Sequence, residues 1–231
     1  MNAALPDISS IRQPDTLRMI PSKYGDESVL ARIADDPAQL QEIQDLDSIT
    51  NDRLLAASGL LPGIDRAELV SGVAHSAIIN AAFTHANPLG SRFNGPDRGA
   101  WYASFDLATA QAEVAFHKTV QLIEIKRLVD DVTYDVYLSD LAGEYHDLRD
   151  DPKFATCLDP QSYVASQTLA ARLLQVQSVG IVYPSVRQVP DGTCIVCFWP
   201  HAVGHVRKRE TYRFRWSGTE TPTVTLDAKM A

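Results

Sequence analysis

Short apolar or alternating segments recur along the chain and predict β-strands, because they have strand length and are bounded by turn-forming residues. The first segment ends at Pro21, which favours an extended residue before it. In the third, Tyr134, Val136 and Leu138 occupy alternate positions, as expected of a strand with one buried face. The predicted strands are 16–20, 100–105, 133–141, 180–185, 193–199 and 211–216.

Helical periodicity separates these strands. Leucine and isoleucine recur at near-helical intervals until Gly59 and Pro62 break the pattern, which predicts one or two helices before them. Asp106 is a favoured N-cap residue for a later helix, and the last segment has the clearest amphipathic pattern. The predicted helices are 37–59, 70–85, 107–118 and 162–177.

Strands and helices intermix without an internal repeat or a linker long enough to divide them. We therefore expect one compact mixed α/β domain over residues 16–217. Residues 1–15 contain two prolines and several small polar side chains, and are expected to form a loose lead-in. Residues 218–231 have a weak pattern and are expected to form a C-terminal tail.

The composition narrows the class of protein. The chain has 231 residues, 45% hydrophobic and 22% charged, as in an ordinary soluble domain. Its net charge of −8 argues against nucleic acid or an anionic membrane as a partner. No apolar run is long enough to span a bilayer, and the N-terminus lacks the pattern of a secretory signal. Three cysteines do not make a disulfide framework, so we expect a cytoplasmic protein with reduced thiols.

One carboxylate interrupts an otherwise apolar helix. Glu113 stands among Ala, Val and Phe, and burying an unpaired carboxylate is expensive. Arg92 precedes the aromatic strand that contains Tyr102. Together these residue types suit glycosidic cleavage of a dinucleotide: a carboxylate stabilises the oxocarbenium-like transition state, an arginine holds a diphosphate and a ring stacks on a heterocycle. The alternative is a partly exposed Glu113 paired with His117 one turn later.

Three further polar residues are candidates. Arg18 lies in the first predicted strand between apolar neighbours, so it needs either a structural carboxylate or an anionic ligand. Ser185 follows an apolar strand, where ligands often meet α/β sheets. Ser166 lies near the start of the 162–177 helix, which could approach a phosphate. For both serines the alternative is a cap or turn residue.

Two patterns are interpreted as structural. The residues Cys194, Cys197, His201 and His205 resemble a zinc-binding set, but their two pairs are too close together for a zinc finger. The two cysteines also fall in a predicted strand, where side chains three apart point to opposite faces, so we expect no metal. The basic run 207–215 alternates with aromatic residues and predicts a solvated sheet face.

The chain resembles the longer members of the RES-domain family, named for Arg, Glu and Ser. Matching blocks occur in order over about residues 16–216. The blocks are TLRMIPSKY (16–24), LDSITNDR (46–53), AAFTHANPLGSRFN (81–94), GAWYAS with TAQAEVAFH (99–117), GEYHDLR (143–149), SYVASQ (162–167), GIVYPSVR (180–187) and GTCIVCFWP (192–200).

This resemblance implies a fold similar to ADP-ribosyltransferase toxins, with a central mixed sheet flanked by helices. It implies NAD+ as substrate without a metal, and a role as the toxin of a bacterial toxin–antitoxin pair, with a helix-turn-helix antitoxin blocking the pocket. The family residues that it assigns are Arg18, Arg92, Tyr102 and Glu113.

The resemblance leaves the serine open. Ser185 fits the block that ends the 180–185 strand, whereas another family serine aligns near Val164, two residues before Ser166. Tyr24 and Asn94 end two of the matching blocks and are expected to contact the substrate.

The leading hypothesis is an enzyme that cleaves the nicotinamide–ribose bond of NAD+. Water or phosphate as acceptor makes it an NAD+ glycohydrolase or phosphorylase, and a side chain of a host metabolic protein makes it an ADP-ribosyltransferase. The competing hypothesis is a non-catalytic module that binds a nucleotide or an antitoxin. A third, weaker hypothesis is a metal-dependent hydrolase built on the Cys/His set.

Overall fold

The computed structural model describes residues 4–25 and 63–227, which form a seven-stranded sheet and three α-helices. The predicted helix over 37–59 and the block at 46–53 lie outside the described residues. The strands are β1 (Ile8–Pro21), β2 (Trp101–Ser104), β3 (Val129–Asp147), β4 (Gly180–Pro184), β5 (Thr193–Cys197), β6 (Gly204–Ser217) and β7 (Thr223–Leu226). The helices are α1 (Ser76–Thr84), α2 (Leu107–Glu124) and α3 (Val164–Gln175), with 3-10 turns at Ser22–Tyr24, Arg66–Glu68, Pro152–Leu158 and Pro200–Ala202.

The sheet closes on itself. Its order is β1-β2-β5-β4-β3-β6-β7, and β1 pairs with β3 as well. This extra pairing joins β1, β2, β5, β4 and β3 into a ring, from which β6 and β7 extend. Strands β3 and β4 are parallel, whereas the other neighbours are antiparallel. Strands β1 and β2 are in register only at Leu17 and Ser104, so they diverge beyond that point.

The hydrophobic core has three parts, one inside the ring and two outside it. The inner cluster takes residues from all five ring strands, and α1 packs on it through Ile78, Ile79 and Phe83. Outside the ring, α3 covers β4 and β5, while α2 covers β1, β3 and β6. Each fully buried aliphatic side chain in these clusters stabilises the fold by about 1.5–3 kcal/mol. Alternate residues of β2 and β5 face different clusters: Trp101 and Cys197 belong to the inner one, whereas Tyr102 and Cys194 belong to the one under α3.

The structure corrects both ends of the predicted domain. Residues 8–15 are not a loose lead-in, because they pair with β3 from Ile8, opposite His146, onward. Pro14 obscured this strand in the sequence, and the pairing register shifts between Gln13 and Thr16 to accommodate it. Similarly, part of the expected tail forms β7, which pairs with β6. The N-terminal segment gains its hydrogen bonds from β3, which is distant in sequence, and the C-terminal segment, whose own pattern is weak, gains them from β6.

Most predicted elements inside these ends are confirmed. The strands in the middle of the chain and the described helices occur within or around the predicted segments. Helix α1 begins at Ser76 rather than at residue 70, whereas β3, β6 and α2 extend beyond their predicted bounds. The basic run lies in β6, where Phe214 and Trp216 pack under α2 while Arg213 and Arg215 both pair with Asp131. This confirms the predicted solvated face. Within the described residues no helix is long and apolar enough to cross a membrane.

Candidate active site

Helix α2 carries Glu113 to the edge of the sheet. Asp106 begins the helix as predicted, because its side chain accepts a hydrogen bond from the Thr109 N–H at 2.8 Å. The apolar face of α2 packs on β1, β3 and β6 through residues such as Ala110 and Leu122. Glu113 lies off that face, and 24% of its side chain is exposed. The carboxylate is therefore neither buried without partners nor free in solvent.

Ser185 holds one oxygen of this carboxylate. It follows the last residue of β4 and is 4% exposed, and its Oγ donates a hydrogen bond to Glu113 Oε1 at 2.7 Å. The same Oγ accepts from the backbone N–H groups of Arg187 at 3.1 Å and Gln188 at 3.0 Å. Gly192 makes this turn possible, since an added Cβ there would lie 2.6 Å from Gln188 O and 2.9 Å from Ser185 Cβ. The serine is thus fixed from three directions.

Cys194 contacts the same carboxylate oxygen from β5. Its Sγ lies 3.7 Å from Glu113 Oε1 and 3.7 Å from Ser104 Oγ. Burial, followed by the negative charge of Glu113, raises the pKa of the Cys194 thiol to about 12. The sulfur is therefore a neutral S–H at physiological pH and serves as a weak donor. Glu113 Oε1 faces two donors, which leaves Oε2 as the less engaged oxygen.

His117 approaches Oε2 without binding it. Its Nε2 lies 3.8 Å from Glu113 Oε2, too far for a hydrogen bond, and 58% of the side chain is exposed. Desolvation by neighbouring groups, together with the positive charges of Arg187 and Arg92, lowers the pKa of His117 against the opposing effect of Glu113. A neutral imidazole does not neutralise the carboxylate. The approach of His117 to Glu113 accompanies the hydrogen bond from Ser185 rather than replacing it.

Tyr102 belongs to a second hydrogen-bonded group on the same outer face of the sheet. Its hydroxyl donates to Asn94 Oδ1 at 2.8 Å and accepts from the Phe93 N–H at 2.9 Å. Burial raises the pKa of Tyr102, so the phenol stays protonated. The ring of Tyr183 packs edge-on against Phe93, with the centroids 4.8 Å apart. Tyr102 and Asn94 thus fix the turn after α1 beside an aromatic wall.

Arg92 secures a neighbouring loop. It is 7% exposed, and its Nη1 donates to the carbonyl oxygens of Cys157 at 3.1 Å and Asp159 at 2.7 Å. Its guanidinium also lies 4.9 Å from the centroid of the Tyr163 ring. These contacts hold the 3-10 turn before α3 against the turn before β2. Part of the donor capacity that the sequence assigned to a diphosphate is therefore used within the protein.

Arg18 lies on the opposite face of β2. Its Nη1 donates to Tyr102 O at 3.1 Å and its guanidinium lies over the Trp101 ring, whose side chain points into the ring of strands. Burial lowers the pKa of Arg18 to about 10, and its Nε is buried without a hydrogen-bond partner among the described residues. The structure does not bring Arg18 to the Glu113 carboxylate, which contacts the outer face.

Two other predicted residues lie apart from this carboxylate. Ser166 is fully buried, and its Oγ donates to Tyr163 O at 3.0 Å within the first turn of α3. Tyr24 is about half exposed, at the end of a 3-10 turn, with Lys23 Nζ 4.7 Å from its ring centroid. Of the two candidate serines, the one in contact with Glu113 is Ser185.

Sequence reasoning missed Cys194 and Arg187 as members of the site. The sequence indicates Cys194 only as a candidate metal ligand, and its position opposite Ser104 depends on the pairing of β2 with β5, which the alternation does not predict. Cys194 and Cys197 belong to different clusters, which confirms that they point to opposite faces. Arg187 lies in the same block as Ser185, and its contact with Phe116 of α2 depends on long-range packing. No local signal indicates that contact.

The fold and site define a mixed α/β protein with a serine-supported glutamate at the end of a sheet strand. A model of the RES domain matches residues 66–217, about two thirds of the chain. The chain therefore belongs to the RES-domain family, as the resemblance predicted.

Comparison with solved structures gives a weaker likeness, to a chain in the crystal structure of the M. tuberculosis MbcT–MbcA toxin–antitoxin complex. The two share 15% identity with a TM-score of 0.40, over 54% of this chain and 71% of that chain. This likeness is too low to assign a function. No curated protein matches the chain.

Proposed function

We propose that the protein is the toxin of a bacterial toxin–antitoxin pair and cleaves the nicotinamide–ribose bond of NAD+. The single observation that carries this proposal is the hydrogen bond from Ser185 to Glu113 in a chain of the RES-domain family. It joins Glu113 to Ser185, one of the two serines that the resemblance to that family leaves open. The proposed partner is a helix-turn-helix antitoxin, and the proposed location is the cytoplasm.

The chemistry places a negative charge beside a developing positive charge. The bond between ribose C1′ and the pyridinium nitrogen breaks with both electrons going to nitrogen, so nicotinamide leaves as a neutral molecule and needs no acid. The sugar becomes oxocarbenium-like and is stabilised by a nearby carboxylate. We assign this role to Glu113 Oε2, because Oε1 faces Ser185 and Cys194. The acceptor oxygen or nitrogen then bonds to C1′ and loses its proton.

The remaining candidates take supporting roles in this proposal. Tyr102 forms part of the wall for the nicotinamide riboside, while Asn94 and Arg92 hold the turn and loop that surround it. Arg18 is proposed to bind the distal part of NAD+, since a desolvated guanidinium with an unpartnered Nε suits an anionic group. Ser166 and Tyr24 are proposed to act only indirectly, by shaping α3 and the exit of β1.

The direct test is nicotinamide release from NAD+ by the purified protein and two variants. We expect Glu113→Gln to lower kcat by about a hundredfold or more, because it removes the charge that stabilises the transition state. Glu124→Gln is the matched control, since it makes the same change on the same helix at an exposed position, and it should leave kcat unchanged. Absence of nicotinamide release under every condition, with phosphate or cell extract included, refutes the proposal.

The acceptor and the competing binding function are separated by two further measurements. The product of the same reactions identifies the acceptor. Free ADP-ribose indicates water, ADP-ribose 1″-phosphate indicates phosphate, and labelled protein indicates a protein side chain. Expression in bacteria then compares the native chain with Glu113→Gln. A growth defect that disappears with the substitution supports catalysis, whereas an equal defect in both indicates a non-catalytic module.

A further inference from the structure

Arg187 is held near Glu113 by two contacts, one through its backbone and one through its side chain. Its backbone N–H donates to Ser185 Oγ, the group that binds Glu113. Its guanidinium carbon lies 3.4 Å from the centroid of the Phe116 ring on α2. Residues three apart on a helix are neighbours, with Cβ atoms about 5–6 Å apart, so Phe116 places the guanidinium one turn from the Glu113 carboxylate.

The charge of Arg187 has no anionic partner among the described residues. One N–H of its Nη2 donates to the Pro160 carbonyl at 2.8 Å, and its other N–H groups form no hydrogen bond to a described residue. No carboxylate in the described ranges lies within ion-pair distance of it. The side chain is only partly exposed, and its positive charge lowers the pKa of His117. An arginine with unused donors in this setting favours a bound anion.

The two arginines that the resemblance assigns, Arg92 and Arg18, are less suited to bind an anion beside Glu113. Arg92 gives its Nη1 to two carbonyl oxygens and is almost completely buried. Arg18 contacts β2 from the inner face, over Trp101. Of the three, Arg187 combines proximity to Glu113 with unused donors.

We infer that Arg187 binds the phosphate attached to the ribose whose glycosidic bond breaks. This inference rests on the proposed function, which places that ribose against Glu113. The 5′-phosphate of a nucleotide is separated from C1′ only by the width of the sugar, which matches the one-turn spacing between Glu113 and Phe116. Stacking on Phe116 and the bond to Pro160 hold the guanidinium plane, so it can offer two parallel N–H groups to phosphate oxygens.

The test combines two substrates with two substitutions. NAD+ carries the phosphate and nicotinamide riboside does not. With Arg187→Gln, we expect KM for NAD+ to rise at least tenfold, with a much smaller rise for nicotinamide riboside. Arg187→Lys should recover part of the loss, because a point charge still attracts phosphate. Arg12→Gln, at an exposed position of β1, is the control and should leave both values unchanged.

Equilibrium binding of ADP-ribose, measured by calorimetry, separates this inference from the proposed function. A tenfold weaker Kd in Arg187→Gln supports the inference even if the native protein releases no nicotinamide, in which case the proposed function alone fails. An unchanged Kd and KM overturn the inference. An equal rise in KM for NAD+ and nicotinamide riboside also overturns it, because such a rise indicates a structural role for Arg187. Failure of the native protein to bind ADP-ribose overturns it as well.

Discussion

Ser185 offers the sharpest test of the site, because its hydroxyl makes three hydrogen bonds at a position that is 4% exposed. Ser185→Ala removes all three without adding volume. A hydrogen bond to a charged group contributes about 1.5–3 kcal/mol, so the loss of orientation of Glu113 should lower kcat by about 10- to 150-fold. Two backbone N–H groups also lose their acceptor, which should reduce the free energy of unfolding by about 1–3 kcal/mol.

Ser166→Ala is the matched control, because it also removes a buried hydroxyl but one that donates to Tyr163 O within α3. It should reduce stability without changing kcat for nicotinamide release. Urea unfolding measures the stability, and initial rates of nicotinamide release at saturating NAD+ measure kcat. Ser185→Thr keeps the hydroxyl and should retain more activity than Ser185→Ala. The reasoning fails if Ser185→Ala keeps kcat within twofold of the native value, or if Ser166→Ala loses as much.

Two other predictions concern stability. Burial raises the pKa of Cys194 to about 12 and of Cys197 to about 11, whereas an unfolded thiol ionises near 8.5, so the unfolding free energy should fall as pH rises above about 8.5. Urea titrations at pH 8 and 10 test this, and equal stability at both, or a loss undiminished in Cys197→Val, contradicts it. Asp106→Ala should reduce stability by about 1 kcal/mol, since it removes the cap of α2. A Tm equal to that of the native protein would show that the cap is dispensable.

Local periodicity predicted the elements of the fold better than their ends. The alternation in β3 and β6 and the cap at Asp106 are local signals, and the structure confirms them. The start of β1 could not be predicted, because Pro14 and the polar residues around it resemble a loop until β3 supplies the hydrogen bonds. Closure of the ring depends on the same pairing between segments far apart in sequence, which no local pattern encodes.

The candidate site shows the same limit. Glu113 was conspicuous as a lone carboxylate in an apolar helix, and Ser185 by its place after a strand. Which serine contacts the glutamate depends on how α2, packed on β1, β3 and β6, brings Glu113 to the end of β4, and neither segment encodes that packing. The resemblance assigns both Arg18 and Arg92, but Arg18 contacts Tyr102 O and Trp101 in β2, whereas Arg92 binds carbonyl groups of the loop before α3.

The order of the site residues along the chain has a consequence for synthesis. Glu113 is translated well before Ser185 and Cys194, and the ring closes only when β5 pairs with β2 and β4. Long-range pairings of this kind form late, and domains fold as units as the nascent chain emerges. On the proposed function, a ribosome making this protein carries an inert polypeptide until β5 has emerged, which gives a cognate antitoxin time to be present before the activity appears.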